Sequence, residues 1–333
     1  MSQITPNILE NDILRRWPEV LQTLLIDHTT HRNIIWATDM YMKTYGIDYA
    51  FDKEIKKEQI TGKWGEVIKP RALKSKEEQV FRIKDKAEVF TPSWVCNAQN
   101  NLVDNAWFDR KDVFNREYIT EDGTHTWEPI NEKIIFPENK TWKDYVRSKR
   151  LEITCGEAPY LVSRYDTTTG EVIPLEYRIG ILDRKLRIVS ENTDSSDEWL
   201  DWAQESYKNT YGYEWQGDNL LLARENLLYT FLDYYEAKFS VEPLKESIIQ
   251  NANIISWNLW QMDGLKFVVP NSCHDEISTD LFGNETKTPC LGCKIGYGRE
   301  SYFKHNGIYT NIMDWDEGHP IHFSSLLKKK QND

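Results

Sequence analysis

The stretch Arg150-Leu151-Glu152-Ile153-Thr154-Cys155-Gly156-Glu157-Ala158-Pro159-Tyr160-Leu161 carries the strongest prediction of the fold. Its β-type residues, 151–154, predict a strand, and Gly156 marks the turn that ends it. A helix is expected to begin at Pro159, because proline suits a first helical turn, where its missing N–H would have no partner. Backbone N–H groups at such a turn attract a carboxylate or phosphate, although an ordinary turn without a ligand has the same pattern.

A second strand is predicted in Tyr211-Gly212-Tyr213-Glu214-Trp215, near whose end lies the acidic residue Glu214. An apolar helix over residues 219–239, with Asp218 as its N-cap, is expected to follow. A carboxylate at a strand tip beside a glycine turn can accept both hydroxyls of a ribose, as nucleotide-type cofactors require; a solvent-exposed glutamate is the alternative. A further apolar run, 254–260, continues the alternation of strands and helices that is typical of a parallel sheet.

Length and charge limit the possible classes of protein. With 333 residues, 13% of them aromatic, the chain can build a large core, so wholesale disorder is excluded. A formal net charge of −12 means that the chain avoids nucleic acid, touches it through a local patch, or leaves most of the binding to a partner. No stretch approaches the ~20 apolar residues that cross a bilayer. An odd number of cysteines without a secretory signal predicts reduced thiols and a cytoplasmic location.

Composition divides the chain into three predicted parts. Residues 1–80 are expected to form an N-terminal helical or mixed extension, with a helix up to about residue 25. Residues 81–269 carry the alternating strands and helices, and residues 270–333, rich in Cys, His, Gly and Asn, predict a small loop-rich module. Two groups of charged residues are interpreted either as solvated surface or as strips that contact DNA phosphates or a partner. The first group is Lys69, Arg71, Lys74, Lys76, Arg82, Lys84 and Lys86, and the second is Arg178, Asp183, Arg184, Lys185 and Arg187.

The order of short motifs between about residues 85 and 265 resembles that of the SAM-dependent DNA adenine-N6 methyltransferases of restriction–modification systems. The resemblance is closest to the proteins labelled restriction endonuclease subunit M. The family's Phe-Thr-Pro segment is matched by Phe90-Thr91-Pro92, and its glycine turn by Glu152, Cys155, Gly156, Tyr160 and Leu161. Its ribose acid is matched by Glu214, and its adenine-contacting acid by Asp263 or, failing that, Asn258.

The resemblance implies a Rossmann-like methyltransferase fold with S-adenosyl-L-methionine (SAM) as cofactor. Two positions depart from the family's glycine turn, because Ile153 replaces a proline and Ala158 replaces the second glycine. Alanine fits there only if the backbone has an ordinary negative φ. By resemblance, the residues expected to hold SAM are Phe90, Thr91, Pro92, Glu152, Thr154, Cys155, Gly156, Glu157, Glu214 and Asp263.

The family's catalytic motif, Asn-Pro-Pro-Tyr or its Asp/Ser variants, does not occur in these 333 residues. In the family it supplies acceptors for the N6 hydrogens of a flipped adenine. The motif therefore lies on a partner chain, has diverged in the last third, or is missing because the chain is a non-catalytic sensor. The predicted function is the SAM-binding subunit of a DNA adenine-N6 methyltransferase. Its expected partners are DNA and a second restriction–modification subunit that carries the motif or a nuclease or helicase. The alternative is a non-catalytic SAM-sensing, DNA-binding or partner-binding subunit.

A possible metal site lies in the last part of the chain. Cys290-Leu291-Gly292-Cys293 is a C-x-x-C pair, and Cys273 with His305 would complete a Cys₃His site for one tetrahedral Zn²⁺. Such a zinc would be structural, because four protein ligands leave no open position for water. A redox-active thiol pair and unliganded thiols are the alternatives.

Overall fold

The structure is a computed structural model that describes residues 6–8, 10–86 and 91–329. Within these residues the fold is mixed α/β, with one three-stranded parallel sheet, flanking helices and four two-stranded antiparallel ribbons. The helices are α1 Glu10–Arg16, α2 Pro18–Leu25, α3 Met40–Tyr45, α4 Lys57–Ile60, α5 Lys76–Lys86, α6 Ser93–Phe108, α7 Trp142–Arg147, α8 Ile181–Asn192, α9 Ser196–Lys208, α10 Gly217–Phe239, α11 Lys245–Asn258, α12 Leu291–Ile295 and α13 Leu326–Lys329. The strands are β1 Ile26–Asp27, β2 Arg32–Asn33, β3 Asn115–Ile119, β4 His125–Pro129, β5 Arg150–Glu152, β6 Thr210–Glu214, β7 Leu259–Gln261, β8 Glu276–Thr279, β9 Glu285–Thr288, β10 Asn311–Asp314 and β11 His319–His322.

The parallel sheet consists of β5, β6 and β7, which lie side by side in chain order. Leu151 pairs with Tyr211, and Tyr213 pairs with Trp260. Helices α8 and α9 connect the first two strands, and α10 and α11 connect the second pair. The predicted α/β class with a parallel sheet is therefore confirmed, and the carboxyl ends of the three strands lie at the same end of the sheet.

Two predicted elements differ from the structure. No helix begins at Pro159; consecutive turns follow β5, and the next α-helix begins at Ile181. The Glu152 carboxylate accepts the N–H groups of Tyr160 and Leu161, which holds this segment back against its own strand. The apolar run 254–258 is the last turn of α11, because an apolar run alone does not distinguish a buried helix from a strand.

The two faces of the sheet have different coverings. Successive residues of a strand point to opposite faces, and one face packs into a large core that contains α2, α8, α9, α10 and α11. That core also includes N-terminal side chains such as Leu21 and Trp36, so the first 80 residues share it. The domain boundaries themselves stay a prediction. The other face carries Tyr213 and Trp260, which pack with Met262, Phe267 and Ile312 near the C-terminal end.

Several cations that were expected on the surface are buried in ion pairs. Asp218, the predicted N-cap of α10, has no capping role and is instead fully buried between Arg82 and Lys74. The neighbouring Arg82 and Lys74 charges hold the pKa of Asp218 well below its usual range, despite the opposing effect of its burial. These cations are thus neither a solvated face nor a phosphate-binding strip, because a buried carboxylate neutralises them.

The second basic group is buried in the same way. Arg184 pairs with Asp104, Arg178 pairs with Asp233, and the Lys185 ammonium donates to the carbonyl oxygens of Ser148 and Asn209. Neither interpretation from the sequence holds for these three residues, since each is buried in contacts within the fold: Arg184 with α6, Arg178 with α10, and Lys185 with the residues that precede β5 and β6.

The C-terminal part is built from short elements. It contains the hairpins β8–β9 and β10–β11, the short helix α12 and a group of Cys and His side chains. It is joined to the sheet through Val268, which bridges both Asp263 and Tyr309. Among the described residues, no helix has the length and apolar character that crossing a bilayer requires.

Candidate functional site

A large cleft lies at the carboxyl ends of β5 and β6. It has a volume of about 1050 Å³ and opens between the turn after β5, the start of α10 and one side of α6. Six of the ten residues expected to hold the cofactor line it, which are Thr91, Glu152, Thr154, Cys155, Gly156 and Glu214. The turn and the acid at the two strand ends therefore meet at one cleft, as parallel strand ends require.

The turn after β5 has an unusual backbone. Thr154, Gly156 and Ala158 all have left-handed φ values, of 47°, 55° and 64°. The requirement that Ala158 have a negative φ is thus wrong; its left-handed conformation is held by its N–H, which donates to the Cys155 carbonyl at 2.7 Å. A left-handed β-branched residue such as Thr154 is strained, and such strain concentrates at functional sites.

Glu214 connects the two strand ends. One carboxylate oxygen accepts the Gly156 N–H at 2.9 Å, and the other accepts the Gln216 N–H at 3.1 Å. The Cys155 N–H donates to the Tyr213 carbonyl, so the turn and the end of β6 are fixed relative to each other. Glu214 is therefore a buried acid aimed at the glycine turn.

Glu152 lies beside Glu214 on the floor of the cleft. Burial, opposed by the N–H bonds from Tyr160 and Leu161, raises the pKa of Glu152 well above its usual range, and Glu214 raises it further. Burial is thus the main reason why the Glu152 carboxyl group has a raised pKa, and the nearby Glu214 adds to the effect.

The other predicted cofactor residues lie elsewhere. Glu157 is buried away from the cleft, where it accepts the Arg71 N–H at 2.7 Å and the Tyr165 hydroxyl at 2.6 Å. Pro92 precedes α6 and does not line the cleft, and Phe90 lies outside the described residues.

Neither candidate for the adenine-contacting residue reaches the cleft. Asp263 accepts the N–H groups of Leu265 and Lys266 in a turn beyond β7. Asn258, the fallback, donates to the carbonyl oxygens of Tyr207 and Thr210 and accepts from Trp315, so it serves the packing of α11. An adenine-contacting role for either residue stays a prediction, without support from its position.

Other polar residues of the cleft were not predicted as ligands. Gln99 and Asn100 come from α6, Trp215 and Asn219 lie around the start of α10, and Lys84 comes from α5. Trp215 directly follows Glu214, and the two amides follow the Phe-Thr-Pro match in the chain. Their closeness in sequence to a matched motif could therefore have marked these residues as candidates. Sequence closeness does not show which of the neighbouring side chains faces the cleft.

The Cys and His residues of the last module form a second candidate site. The potential ligand atoms of Cys273, Cys290, Cys293 and His305 lie within 4.8 Å of one another. His305 Nδ1 is 3.7 Å from Cys273 Sγ, 3.8 Å from Cys290 Sγ and 3.7 Å from Cys293 Sγ. A tetrahedral zinc with bonds of ~2.0–2.3 Å separates its ligand atoms by roughly 3.5–3.8 Å. The predicted cluster is therefore assembled and could hold a metal ion.

Electrostatics around this cluster also suit a cation. Burial, and next the Lys266 charge, lowers the pKa of His305, so the ring is neutral at pH 7 and able to coordinate. Burial and the adjacent Cys290 raise the pKa of Cys273 to about 12, so the thiols do not ionise together without a cation between them.

A glycine makes room for the histidine. A Cβ at Gly292 would lie 2.5 Å from His305 Nδ1, so the ring packs directly on the backbone of α12.

Comparison of the chain with protein-family models, curated proteins and solved structures gives no match.

Proposed function

We propose that this chain is the SAM-binding subunit of a DNA adenine-N6 methyltransferase that acts in restriction–modification. The observation that carries the proposal is the meeting of the glycine turn and Glu214 at one cleft at the carboxyl ends of parallel strands. Ligands of open α/β sheets bind at this end of the sheet. In the proposal, Glu214 accepts the ribose hydroxyls, and the turn at Gly156 faces the amino-acid end of SAM.

The Rossmann-like fold belongs to the same proposal. Its support is the parallel order β5–β6–β7 with helices in both connections. A departure from the family's layout is the segment between the glycine turn and α8, which forms turns and a 3₁₀ helix at Leu175–Tyr177. The first turns of α10 and α8 both border the cleft, through Asn219 and Ile181. In the proposal, backbone N–H groups of the turn after β5 bind the anionic end of the ligand.

Calorimetric titration with SAM and S-adenosylhomocysteine tests cofactor binding. We expect micromolar binding to the wild type, weakened about 10- to 100-fold in Glu214→Gln, because a hydrogen bond to a charged group contributes ~1.5–3 kcal/mol. Glu246→Gln, an acid in the first turn of α11 away from the cleft, is the matched control. Absence of binding by folded wild-type protein, or equal affinities in the two variants, would contradict the proposed cofactor site.

The catalytic step is expected to need a partner. Direct transfer of the methyl group to N6 of a flipped adenine needs acceptors for the amine hydrogens, and the sequence lacks the tetrapeptide that supplies them. With labelled SAM and plain duplex DNA, the isolated chain should transfer no methyl groups while still binding SAM. Methylation by the isolated chain would show that its own residues form the base pocket.

A non-catalytic SAM-sensing role is the second candidate, and the missing tetrapeptide is the observation that favours it. The two candidates differ in one result. If co-purified subunits of a restriction complex restore methyl transfer and Glu214→Gln abolishes it, the chain is the cofactor half of the enzyme. If no subunit restores transfer while SAM binding persists, the chain is a sensor.

We also propose that Cys273, Cys290, Cys293 and His305 hold one structural zinc. The near-equal distances from His305 Nδ1 to the three sulfurs support this assignment. Metal analysis of the purified chain should give one zinc per chain, and Cys290→Ser should lose it. Retention of full zinc content by that variant would exclude the assignment.

A further inference from the structure

The segment that carries three of the four potential metal ligands differs in charge from the rest of the chain. This basic loop, residues 289–308, contains the cations Lys294, Arg299 and Lys304 and a single acid, Glu300, although the whole chain has a net charge of −12. An acidic chain repels nucleic acid over most of its surface, so any contact with phosphates has to be made by a local group of cations such as this one.

The three cations of the basic loop are exposed and form no ion pairs. All three are exposed to solvent, and within the described residues none of their side chains makes an ion pair or a hydrogen bond. By contrast, Lys74 and Arg184, from the two charged groups singled out in the sequence, are buried in ion pairs. Lys266, which precedes the module, pairs with Asp263 at 3.4 Å. The basic loop therefore offers to a phosphate the charges that these paired residues cannot offer.

Two aromatic side chains lie on the surface of the same loop. Tyr297 is 74% exposed and Phe303 is 45% exposed. Phe303 directly precedes Lys304, and Tyr297 lies two residues before Arg299. Exposed aromatic rings beside cations are the combination that binds unpaired nucleotides, because the bases stack on the rings while the cations attract the phosphates. An acidic peptide would use the cations but not the aromatic rings.

Backbone hydrogen bonds fold the basic loop back on itself. The Gly292 N–H donates to the Lys304 carbonyl at 2.8 Å, which joins the start of α12 to the end of the loop. Between these points the Ser301 N–H donates to the Gly298 carbonyl at 3.0 Å, and the Lys304 N–H donates to the Ser301 carbonyl at 2.9 Å. These turns keep the cations and the aromatic rings within one compact stretch of chain. A surface that is already ordered loses less conformational entropy when it binds a ligand.

We propose that the basic loop binds single-stranded nucleic acid, with its cations on the phosphates and with Tyr297 and Phe303 stacked on bases. The described helices of the module, α12 and α13, have five and four residues, so neither provides a long helix to lie in the major groove of a duplex. The inference deepens the proposed function, in which a base leaves the DNA duplex. It rests on the proposed zinc site, because zinc is expected to hold the loop together, but it does not need SAM.

Fluorescence anisotropy of a labelled oligothymidylate with the full chain, in the absence of SAM, tests the proposal. The wild type should bind a strand of about 20 nucleotides more tightly than a duplex of the same length. Its affinity should fall roughly 10- to 20-fold between ~50 and ~200 mM salt, because about three phosphates are contacted. Replacement of the three cations of the basic loop by glutamine should weaken binding at least about tenfold and remove most of this salt dependence. The matched control replaces three exposed cations outside the module, which are Lys76, Lys111 and Lys133.

The aromatic contact is tested by a separate variant. Tyr297→Ala should weaken binding of the oligothymidylate at least about fivefold, because it removes the stacking of one base. Tyr118→Ala is the matched control, since Tyr118 lies in β3, outside the module, and is 48% exposed. The zinc content of every variant is measured in parallel, so that loss of the metal is distinguished from loss of the binding surface.

Several results would overturn the proposal. They are the absence of oligothymidylate binding by the wild type, a duplex bound as tightly as the single strand, and equal affinities in the loop variants and their controls. Polyglutamate bound as tightly as the oligothymidylate would also overturn it, because charge alone would then account for the binding. A wild type without zinc would contradict the zinc assignment instead, and the oligothymidylate affinities would still decide the role of the loop.

Discussion

One strained residue lies in the turn after β5. Thr154 is exposed and β-branched, yet its φ is 47°, a conformation that disfavours side chains branched at Cβ. Glycine removes this backbone strain of ~1–2 kcal/mol. It also destabilises the folded state by ~0.5–1 kcal/mol, because it makes the unfolded chain more flexible. Thr154→Gly should therefore raise the free energy of unfolding by about 0.5–1 kcal/mol, measured by urea denaturation.

The control for this prediction is a threonine in ordinary extended backbone. Thr286, an exposed residue of β9, should lose stability when changed to glycine. A loss of stability in Thr154→Gly would show that the turn is not strained at this residue. If SAM binding weakens while stability rises, the strain serves the site.

Gly292 is the second residue with a specific requirement. Any side chain there would meet the His305 ring, since a Cβ would lie 2.5 Å from Nδ1. Gly292→Ala should therefore reduce the zinc content of the purified protein well below one per chain, as measured by metal analysis. Leu291→Ala, at the exposed neighbour in α12, should leave it unchanged. Full zinc content in both variants would mean that the ring can shift without losing the metal.

Among the elements, α10 is linked to four others by Arg224. Its guanidinium donates to the carbonyl oxygens of Leu24, Ile26, Ser256 and Leu259, which end α2 and α11 and begin β1 and β7. Burial lowers the pKa of Arg224 to about 10, so it keeps its charge at neutral pH. Four elements thus depend on one buried cation.

Loss of this arginine should be costly. Arg224→Met should lower the free energy of unfolding by at least about 3 kcal/mol, because it leaves buried carbonyl groups without donors at ~1–3 kcal/mol each. Denaturant unfolding measures the change, and the exposed Arg110→Met should stay within about 0.5 kcal/mol of the wild type. Similar stabilities would show that the carbonyl groups find other donors.

A pair of buried acids makes the contact between α1 and α10 sensitive to pH. Glu10 and Glu225 are both buried, and within the described residues no side chain or backbone group is bonded to their carboxylate oxygens. Burial raises the pKa of Glu10 to about 8, and burial together with Glu10 raises that of Glu225. A carboxyl with a raised pKa binds its proton more tightly in the folded state, so stability falls as pH rises from the unfolded pKa, ~4.3, towards 8.

The slope of this loss should be at most ~1.4 kcal/mol per pH unit for each proton. Glu225→Gln should flatten the dependence between pH 5 and 8, whereas Glu236→Gln on the exposed side of α10 should not. Stability curves at several pH values measure the difference. Parallel curves for the wild type and Glu225→Gln would exclude ionisation of this pair as the cause.

The whole molecule has one large core and a smaller one that joins the sheet to the C-terminal module. The smaller core contains Tyr213 and Trp260 of the sheet, while the Cys/His cluster lies farther out in the module. Chelation of zinc should therefore unfold the module locally and leave the large core intact. Hydrogen exchange should show lost protection in residues 273–305 and retained protection in α10; simultaneous loss in both would mean a single cooperative unit.

The parts of the fold and site that follow from local pattern were predictable. The β5 and β6 strands, the helix after Glu214 and the four potential metal ligands were all recognised, because periodicity, glycine turns and ligand spacing are local signals. The expected helix at Pro159 and the strand at 254–258 were wrong. At Pro159 the segment is held by the Glu152 carboxylate, and at 254–258 a short apolar run does not distinguish a buried helix from a strand.

By itself, the sequence determined the α/β class, the glycine turn, the acid after the second strand and the cysteine–histidine set. Only the tertiary structure decided which charges are solvated and which are buried. Arg82, Arg184 and Arg224 look like surface cations in sequence, but each is paired with groups that are remote along the chain. The physical reason is that burial of a charge depends on a partner at bonding distance, and that distance is set by packing, not by spacing in the sequence.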